Sequence, residues 1–154
     1  MILPVTATAL RALHHDACQH PFDPGSALAP PEVLHLLAGL AACIEPAFVP
    51  AAWLILDDGQ PVGLCSAMRI PIDGDLNIGY GIAPDRQGRG ITTRAIGELV
   101  RWCARDGRLR KLTAETAVDN IASQRVLARN GFLQVGHGMD ADAGPVLCWA
   151  LELP

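Results

Sequence analysis

The sequence predicts an α/β sandwich on a mixed, mostly antiparallel central sheet of six to seven strands, with helices flanking the sheet. Half of the 154 residues are apolar and 18% are charged, which is typical of a globular domain. Short runs with strand character alternate with longer segments of helical period. Three of the predicted strands follow one another through tight turns, so the antiparallel part of the sheet comes early in the chain.

The N-terminal half is predicted to contain a strand, a helix and a three-stranded meander. Residues 2–13 alternate loosely between apolar and polar and suit an edge strand. Residues 16–31 are rich in Pro, Gly, Asp and Ala and are expected to form an irregular connection. Pro31 and Glu32 favour a helix to about residue 43, because proline and an acid are tolerated in a first helical turn. The meander is predicted at residues 53–56, 62–68 and 76–82.

The C-terminal half alternates between helices and strands. Ile91, Ala95 and Leu99 recur at helical spacing, and Gly107 ends that helix. The remaining predicted elements are a strand at 109–118, a short helix capped by Asp119 or Asn120 and ending at 130–131, and strands at 132–135 and 145–151.

Length and cysteine usage lead us to expect one domain, residues 1–154, in the cytoplasm. A chain of this size buries about 70% of its unfolded surface and needs no covalent staple. No apolar run approaches the roughly 18–20 residues of a membrane span, and the N-terminus lacks the basic and apolar regions of a secretory signal. The five cysteines show no CxxC spacing, which is typical of reduced thiols.

The net charge of −4 hides a basic segment. Residues 86–129 hold ten of the twelve basic residues and four of the sixteen acidic ones, so this segment is +6 and the remainder is −10. Such a segment attracts anions, although a solvated helix face with ion pairs such as Arg94–Glu98 would have the same composition. Nucleic acid is not the expected partner, because the total charge is negative and no aromatic residues are interleaved.

Residues 84–92, PDRQGRGIT, lie between a predicted strand and a predicted helix. Gly88 and Gly90 let backbone N–H groups approach a ligand closely, and the helix that follows directs its positive end at the same point. Arg86 and Arg89 add charge, so the segment favours a phosphate, with a plain turn as the alternative. The segment matches neither the mononucleotide loop G-x-x-x-x-G-K-[ST] nor the dinucleotide fingerprint G-x-G-x-x-G.

Together with its context, this turn resembles the acetyl-CoA-binding motif R/Q-x-x-G-x-G/A of the GNAT superfamily of N-acetyltransferases. Residues 78–84, IGYGIAP, look like the fourth strand and its exit in the ribosomal-protein-alanine acetyltransferase (RimJ/RimL-like) branch. Residues 120–132, NIASQRVLARNGF, look like the N-x-x-S-x-x-V-L-x-x-x-G-F segment of that branch. The resemblance covers residues 75–136 closely.

The resemblance implies a GNAT fold whose fourth and fifth strands splay apart to hold the pantetheine arm of acetyl-CoA, the co-substrate. The pyrophosphate would bind the backbone amides of residues 87–92, Asn120 would contact the pantetheine, and Ser123 would lie near the sulfur. The implied donor-binding residues are Ile82, Ala83, Arg86, Gln87, Gly88, Arg89, Gly90, Ile91, Thr92, Asn120 and Ser123.

The implied reaction is direct attack of an amine on the thioester, which requires a base, an oxyanion donor and a group that receives the thiolate. A backbone N–H near Ala83 is the expected oxyanion donor. Many relatives carry a tyrosine as proton donor at the position of Leu127, so here either Ser123 fills that role or CoA leaves as a thiolate. Glu115 is the candidate base, although it would equally suit a solvated carboxylate beside Arg110 or Lys111. The polar groups that compete for the role of base are Asp75, Asn77 and Tyr80.

The acceptor is expected to be a primary amine on a protein N-terminus, polyamine, amino acid or antibiotic. It would bind between the first connection, residues 14–48, and the last two strands. The His-rich residues 14–20 lack zinc spacing, so no metal is expected. A non-catalytic acyl-CoA sensor is the alternative from another functional class. Similar proteins often form homodimers through their C-terminal strands, so a homodimer is possible here.

Overall fold

The computed structural model of the protein describes residues 1–19 and 28–154, with the side chains of 16–19 excepted. Within these residues seven strands form one sheet in the order β1-β2-β3-β4-β5-β7-β6, which confirms the predicted fold class. The elements in chain order are β1 Ile2–Val5, α1 Ala7–Gln19, α2 Pro31–Ile44, β2 Ala52–Asp57, β3 Gln60–Ala67, β4 Asp75–Ile82, α3 Ile91–Arg105, β5 Lys111–Ala117, α4 Ile121–Arg129, β6 Leu133–Asp140 and β7 Gly144–Glu152.

The first element departs from the prediction. The edge strand is present but ends at Val5, and α1 follows at once, so the prediction of a strand over residues 2–13 is wrong beyond that point. The Oγ1 of Thr6 accepts the Ala9 N–H at 3.2 Å, and a Glu45 carboxylate oxygen accepts the Ala7 N–H at 2.7 Å. These two acceptors satisfy amides of the first turn that would otherwise lack partners.

The predicted irregular connection at residues 16–31 is also partly wrong, because α1 continues to Gln19. Residues 20–27 lie outside the described part of the chain. The predicted strand at 132–135 is too short: β6 extends to Asp140 and pairs with β7 around a bulge between Gln134 and Gly136. The glycines at 136 and 138 conceal this strand in the sequence because glycine is rare in strand interiors.

The two halves of the sheet meet at a parallel pair. β4 and β5 are in register from Asp75↔Lys111 to Ile78↔Ala114, and every other strand pair is antiparallel. In the described chain the register of this pair ends there, although β4 continues to Ile82 and β5 to Ala117. The two strands therefore separate at their C-terminal ends, as the resemblance implied. This open part of the β4–β5 pair is called the seam below.

Helices cover both faces of the sheet. α1 packs against α2, and α2 lies on β3, whereas α3 contacts β1 and β2. Beneath the N-terminal turn of α3, Ile91 and Ala95 form a buried cluster with Ile55 and Val62. The start of α3 is thereby fixed against the sheet. Of the helices described, none is long and apolar enough to span a membrane.

Candidate active site

The turn before α3 adopts the conformation that its glycines allow. Gly88 and Gly90 have φ values of +76° and +71°, in the left-handed region that side chains disfavour. Gly90 is the N-cap of α3 and supplies no side chain to the first turn. The first amides of this 15-residue helix are therefore available to an anion, and the helix dipole favours one at this end.

The arginines of the turn differ in their partners. Arg86 faces Asp57 at 3.7 Å and Asp85 at 3.4 Å, so two carboxylates offset its charge. Arg89 is exposed and takes part in no ion pair among the described residues, while its carbonyl accepts from Arg94 Nη1 at 3.3 Å. Of the two arginines predicted near the phosphate, Arg89 is thus the one whose charge is not offset.

The ion pair between Arg94 and Glu98, named as an example in the alternative interpretation of the basic segment, does not form among the described residues. Glu98 instead accepts the Ile2 N–H at 2.8 Å and lies 3.7 Å from the N-terminal ammonium of Met1. This carboxylate therefore fastens the edge strand β1 to α3, and Arg94 bonds the turn that precedes its own helix.

The remaining residues of the turn contribute in different ways. Gln87 is exposed and Thr92 is half-buried, so the side chains of both are accessible to a ligand. Ile91 is buried in the cluster under α3, which leaves only its backbone for a ligand.

The backbone of β4 presents its hydrogen-bonding groups to the seam at alternate residues. The Ala83 N–H donates to the Val62 carbonyl at 2.8 Å, so it points to β3 and is already used. Because successive residues in a strand point their N–H and C=O groups to opposite sides, those of Ile82 and Tyr80 point into the seam. The N–H groups near Ala83 that face the seam are therefore those of Ile82 and Tyr80, and the oxyanion donor expected near Ala83 stays a prediction.

The start of α4 borders the same seam. Asn120 is its N-cap, which decides between the two predicted capping residues, and the Asn120 side-chain oxygen accepts the Ser123 N–H at 3.1 Å. The Tyr80 hydroxyl donates to the Ser123 carbonyl at 3.0 Å. Burial raises the pKa of the Tyr80 phenol, and the phenol is therefore a poor base. Leu127 is fully buried in the core, so the position of the family tyrosine holds a packing residue.

Glu115 is the first residue of β5 past the last registered pair with β4. Its side chain is exposed and opposite in direction to the buried Ala114 and Thr116, and its cross-strand neighbour on β7 is Cys148. The exposed carboxylate thus lies on the face of the sheet opposite to Ala114 and Thr116, at the point where the seam begins.

The competing polar groups, other than Tyr80, lie in the paired part of β4 and β5. Asp75 pairs with Lys111 at 3.2 Å and accepts a hydrogen bond from the Thr113 hydroxyl at 3.0 Å. Asn77 donates to the same hydroxyl at 3.0 Å. Lys111 is therefore committed to Asp75, and the interpretation of Glu115 as its counter-ion is not supported.

Sequence reasoning missed two contacts at the seam. The bond from Tyr80 to Ser123 joins residues 43 positions apart, and the Trp149 indole N–H donates to the buried Thr116 hydroxyl at 3.0 Å across two strands. Neither pair has a spacing signal in the sequence. Within the described residues no three His, Cys, Asp or Glu side chains are grouped to hold a metal ion. The His-rich residues 14–20 fall in α1 as far as Gln19, and their side chains from residue 16 lie outside the described part of the chain.

Known proteins share this architecture. Among solved structures, RimL, a ribosomal-protein alpha-N-acetyltransferase in complex with coenzyme A, aligns with a TM-score of 0.74 at 22% identity, over 99% of this chain and 93% of that one. The aminoglycoside acetyltransferase AAC(6')-Ib, in complex with ribostamycin and coenzyme A, aligns with a TM-score of 0.70 at 16% identity, over 99% of this chain and 92% of that one. These similarities establish the fold.

Sequence relatives agree with them. The ribosomal-protein-serine acetyltransferase of Escherichia coli is 34% identical over 54% of this chain and 48% of its own length. The putative ribosomal N-acetyltransferase YdaF of Bacillus subtilis is 32% identical over 56% of this chain and 48% of its own. The chain thus matches about half the length of these curated relatives. The family described as acetyltransferase (GNAT) domain matches residues 7–133. The chain therefore belongs to the GNAT acetyltransferase family.

Proposed function

We propose that the protein transfers an acetyl group from acetyl-CoA to a primary amine, by direct attack within a ternary complex. The observation that carries this proposal is the separation of β4 and β5 beside the uncapped N-terminus of α3. The separation supplies an open strand edge for an extended arm, and the helix supplies amides for a phosphate. Membership of the acetyltransferase family supports acetyl-CoA as the molecule that combines the two.

In this proposal the donor occupies the turn, the seam and the first turn of α4. The amides of residues 87–92 hold the pyrophosphate, and the uncompensated charge of Arg89 favours it. The pantetheine amides pair with the backbone of Ile82, whose hydrogen-bonding groups point into the seam. The amide of Asn120 contacts the arm from the α4 side, and Ser123 lies one turn further along that helix.

The chemistry requires three groups around the thioester carbon. The amine nitrogen forms a bond to that carbon, and the oxygen becomes an oxyanion stabilised by the backbone N–H of Tyr80 or Ile82. The C–S bond then breaks. Ser123 donates its proton to the departing sulfur and takes up the second proton of the amine nitrogen, so that the products are a neutral amide and the CoA thiol and the serine is restored. Glu115 removes the proton of the incoming ammonium, directly or through a water, since its exposed carboxylate lies at the start of the seam.

The acceptor in this proposal is the α-amino group of a protein N-terminus. The names of the two curated relatives, both of which refer to ribosomal proteins, support this class and a cytoplasmic location. Small amines are the competing class, because AAC(6')-Ib binds an aminoglycoside and a further neighbour of similar fold, SpeG, is a spermidine N-acetyltransferase. Short peptides with free N-termini, spermidine and an aminoglycoside, compared by kcat/KM, separate the classes. N-terminally blocked peptides should be inert.

A homodimer is part of the same proposal. β6 is the outer strand at the C-terminal edge of the sheet. Leu133, Val135 and Met139 on it are more than 60% exposed, an arrangement that favours pairing with a second strand. Sedimentation equilibrium of the wild type and of Val135→Lys tests this, because the lysine should shift the protein to monomer.

Donor binding is tested by thermal melts with acetyl-CoA, CoA, ATP and NAD at equal concentration. A ligand at 100 times its Kd adds about 2.7 kcal/mol, which at this size is a shift of about 2–8 °C. The proposal predicts a shift with the two CoA species alone. Failure of both to shift the melt would contradict it, and so would a shift with ATP or NAD of the same size.

A further inference from the structure

Tyr80 makes a contact that the family resemblance did not anticipate. Its half-buried ring projects from β4 past the last registered pair with β5, and its hydroxyl donates to the backbone carbonyl of Ser123 at 3.0 Å. The contact therefore joins β4 to the first turn of α4 across the place where the two central strands separate.

The other side-chain hydrogen bonds of α4 join it to elements other than β4. Gln124 Nε2 donates to the carbonyls of Ala117 and Val118 at 3.1 Å, which fastens the helix to the end of β5, the strand that precedes it in the chain. Asn130 Nδ2 donates to Thr93 at 3.1 Å, which fastens the far end of the helix to α3. Among the described residues, Tyr80 makes the one side-chain hydrogen bond that links α4 to β4.

This difference matters because the two walls of the seam carry different parts of the proposed machinery. β4 carries the backbone N–H groups that would hold the donor and its oxyanion, whereas α4 carries the Ser123 hydroxyl. Their separation is determined neither by strand register, which has ended, nor by the bond of Gln124, which fixes α4 to β5 alone. The hydrogen bond from Tyr80 to the carbonyl of Ser123 bridges the two walls directly, at the residue concerned.

We propose that Tyr80 is a positioning residue that holds Ser123 at the distance from β4 at which its hydroxyl reaches the departing sulfur. The inference rests on the proposed function. Tyr80 does not exchange a proton with substrate, and it acts through the placement of Ser123. Because Tyr80 bonds to the backbone carbonyl of Ser123, Ser123→Ala leaves this hydrogen bond intact and removes only the hydroxyl that the bond positions.

A double-mutant cycle on Tyr80→Phe and Ser123→Ala tests this. Tyr80→Phe keeps the ring and loses the hydroxyl, and we expect kcat for amine acetylation to fall about tenfold or more, since small displacements of a reacting group have effects of that size. In the Ser123→Ala background the same change should alter kcat less than twofold, because no hydroxyl remains to be misplaced. A purely structural role for Tyr80 would lower kcat by the same factor in both backgrounds.

Thr113→Val is the matched control. Thr113 also bridges β4 and β5 through half-buried side-chain hydrogen bonds, but it does so where the strands are still in register. Its loss should lower Tm about as much as Tyr80→Phe does and leave kcat within twofold. Three results would each overturn the inference: an unchanged kcat in Tyr80→Phe, an equal loss of kcat in both backgrounds, or no effect of Ser123→Ala. In each of these cases, amine-dependent turnover by the wild type would still support the transferase proposal. A wild type that releases no thiol would remove both.

Discussion

The side-chain oxygen of Asn130 lies 2.9 Å from the point that a Cβ atom on Gly97 would occupy. Asn130 caps the C-terminal end of α4, and its Nδ2 donates to the carbonyls of Thr93 on α3 and Val126 on α4. The glycine in the middle of α3 is thus the recess into which the capping amide of α4 fits. Because the turn at residues 88–90 leads into α3 and Asn120 caps α4, this contact sets the two parts of the proposed donor site relative to each other.

The contact predicts that the effect of Gly97→Ala on the free energy of unfolding has opposite signs in the wild type and in an Asn130→Ala background. Gly97→Ala should lower the free energy of unfolding by about 1–3 kcal/mol in the wild type, because the new methyl group forces Asn130 out of its site. In an Asn130→Ala background the same substitution should stabilise by up to about 1 kcal/mol, since alanine is the better helix former and no oxygen opposes it. Urea unfolding of the four proteins measures both values, and a destabilisation of equal size in both backgrounds would disprove the contact.

Two glycines with the same backbone conformation allow strain and ligand binding to be separated. Gly88 and Gly59 both have a φ of +76°, and an added Cβ would meet no atom within 4 Å at either position. Alanine at each should cost about 1–2 kcal/mol of stability from backbone strain alone. Only Gly88→Ala should weaken acetyl-CoA binding, by about 10–100-fold if one charge-assisted hydrogen bond is lost. Calorimetric titration of the two variants checks this, and equal affinities would remove the turn from the donor site.

Asn120 is expected to have two separable roles, as helix cap and as donor to the pantetheine. Asn120→Asp keeps an oxygen for the Ser123 N–H and should retain most of the stability, whereas Asn120→Ala should lose about 1 kcal/mol. Both variants lack the amide N–H₂ and should raise KM for acetyl-CoA to a similar extent. Melting temperature and steady-state kinetics report the two roles independently. A normal KM in the stable Asp variant would limit Asn120 to capping.

Glu115→Gln should lower kcat by about 10²–10⁴-fold, the range that a positioned base contributes, and leave acetyl-CoA affinity unchanged. Glu152→Gln is the control. Glu152 is also an exposed carboxylate on a strand next to β5, but it lies opposite Lys111, at the end of β5 away from the seam. Comparable losses in the two variants would indicate a general charge effect. Full activity of Glu115→Gln would exclude it as the base.

The stability of the protein at acid pH should depend in part on Asp106, the C-cap of α3. The Arg108 side chain donates to Asp106 at 2.6 and 2.9 Å, and these bonds hold the pKa of the Asp106 carboxyl below its ordinary value of 3.8. A group whose pKa is lowered on folding stabilises the fold above its unfolded pKa and loses that contribution as pH falls through the folded value. The Tm difference between wild type and Asp106→Asn should therefore be full at neutral pH, decline once the pH falls below the ordinary pKa, and disappear only below the lowered pKa of the folded protein. A difference that persists unchanged at low pH would contradict this origin.

Arg108→Gln tests the same pair from the other side. Without the guanidinium the pKa of Asp106 should return towards its ordinary value, so the acid limb of the Tm curve should resemble that of Asp106→Asn. The change also removes the donor to the Val49 carbonyl, which should lower Tm by a similar amount at every pH.

Most elements could be predicted from local patterns because each carries its own boundary signals. α3 begins at a glycine in the left-handed conformation and has a clear helical period, and α4 begins at an asparagine that caps it. The extent of β1 could not be predicted, because Glu45, 38 residues away, supplies the acceptor that lets α1 start at Ala7. Long-range capping of this kind leaves no trace in the local alternation.

The features of the candidate site likewise divide into those that local motifs predict and those that depend on long-range contacts. The glycine turn and the capping asparagine are local features, and each lies where its motif predicts it, at the start of the helix that follows. Which backbone N–H faces the seam depends on the register of β4 against β3, which the sequence does not encode locally, and this is why the sequence could predict a donor only near Ala83 and not at one residue. The charges of Arg86 and Lys111 were likewise predicted without their partners, which come from distant loops and strands.

The most direct test of the account is release of the CoA thiol from acetyl-CoA as a function of added amine. We expect slow hydrolysis in the absence of an amine, and a saturable increase in thiol release with a peptide that has a free N-terminus. Glu115→Gln and Ser123→Ala should reduce that increase, and Glu152→Gln should retain it. Tight binding of acetyl-CoA with no amine-dependent thiol release across peptides, polyamines and aminoglycosides would contradict the account and identify the protein as an acyl-CoA sensor.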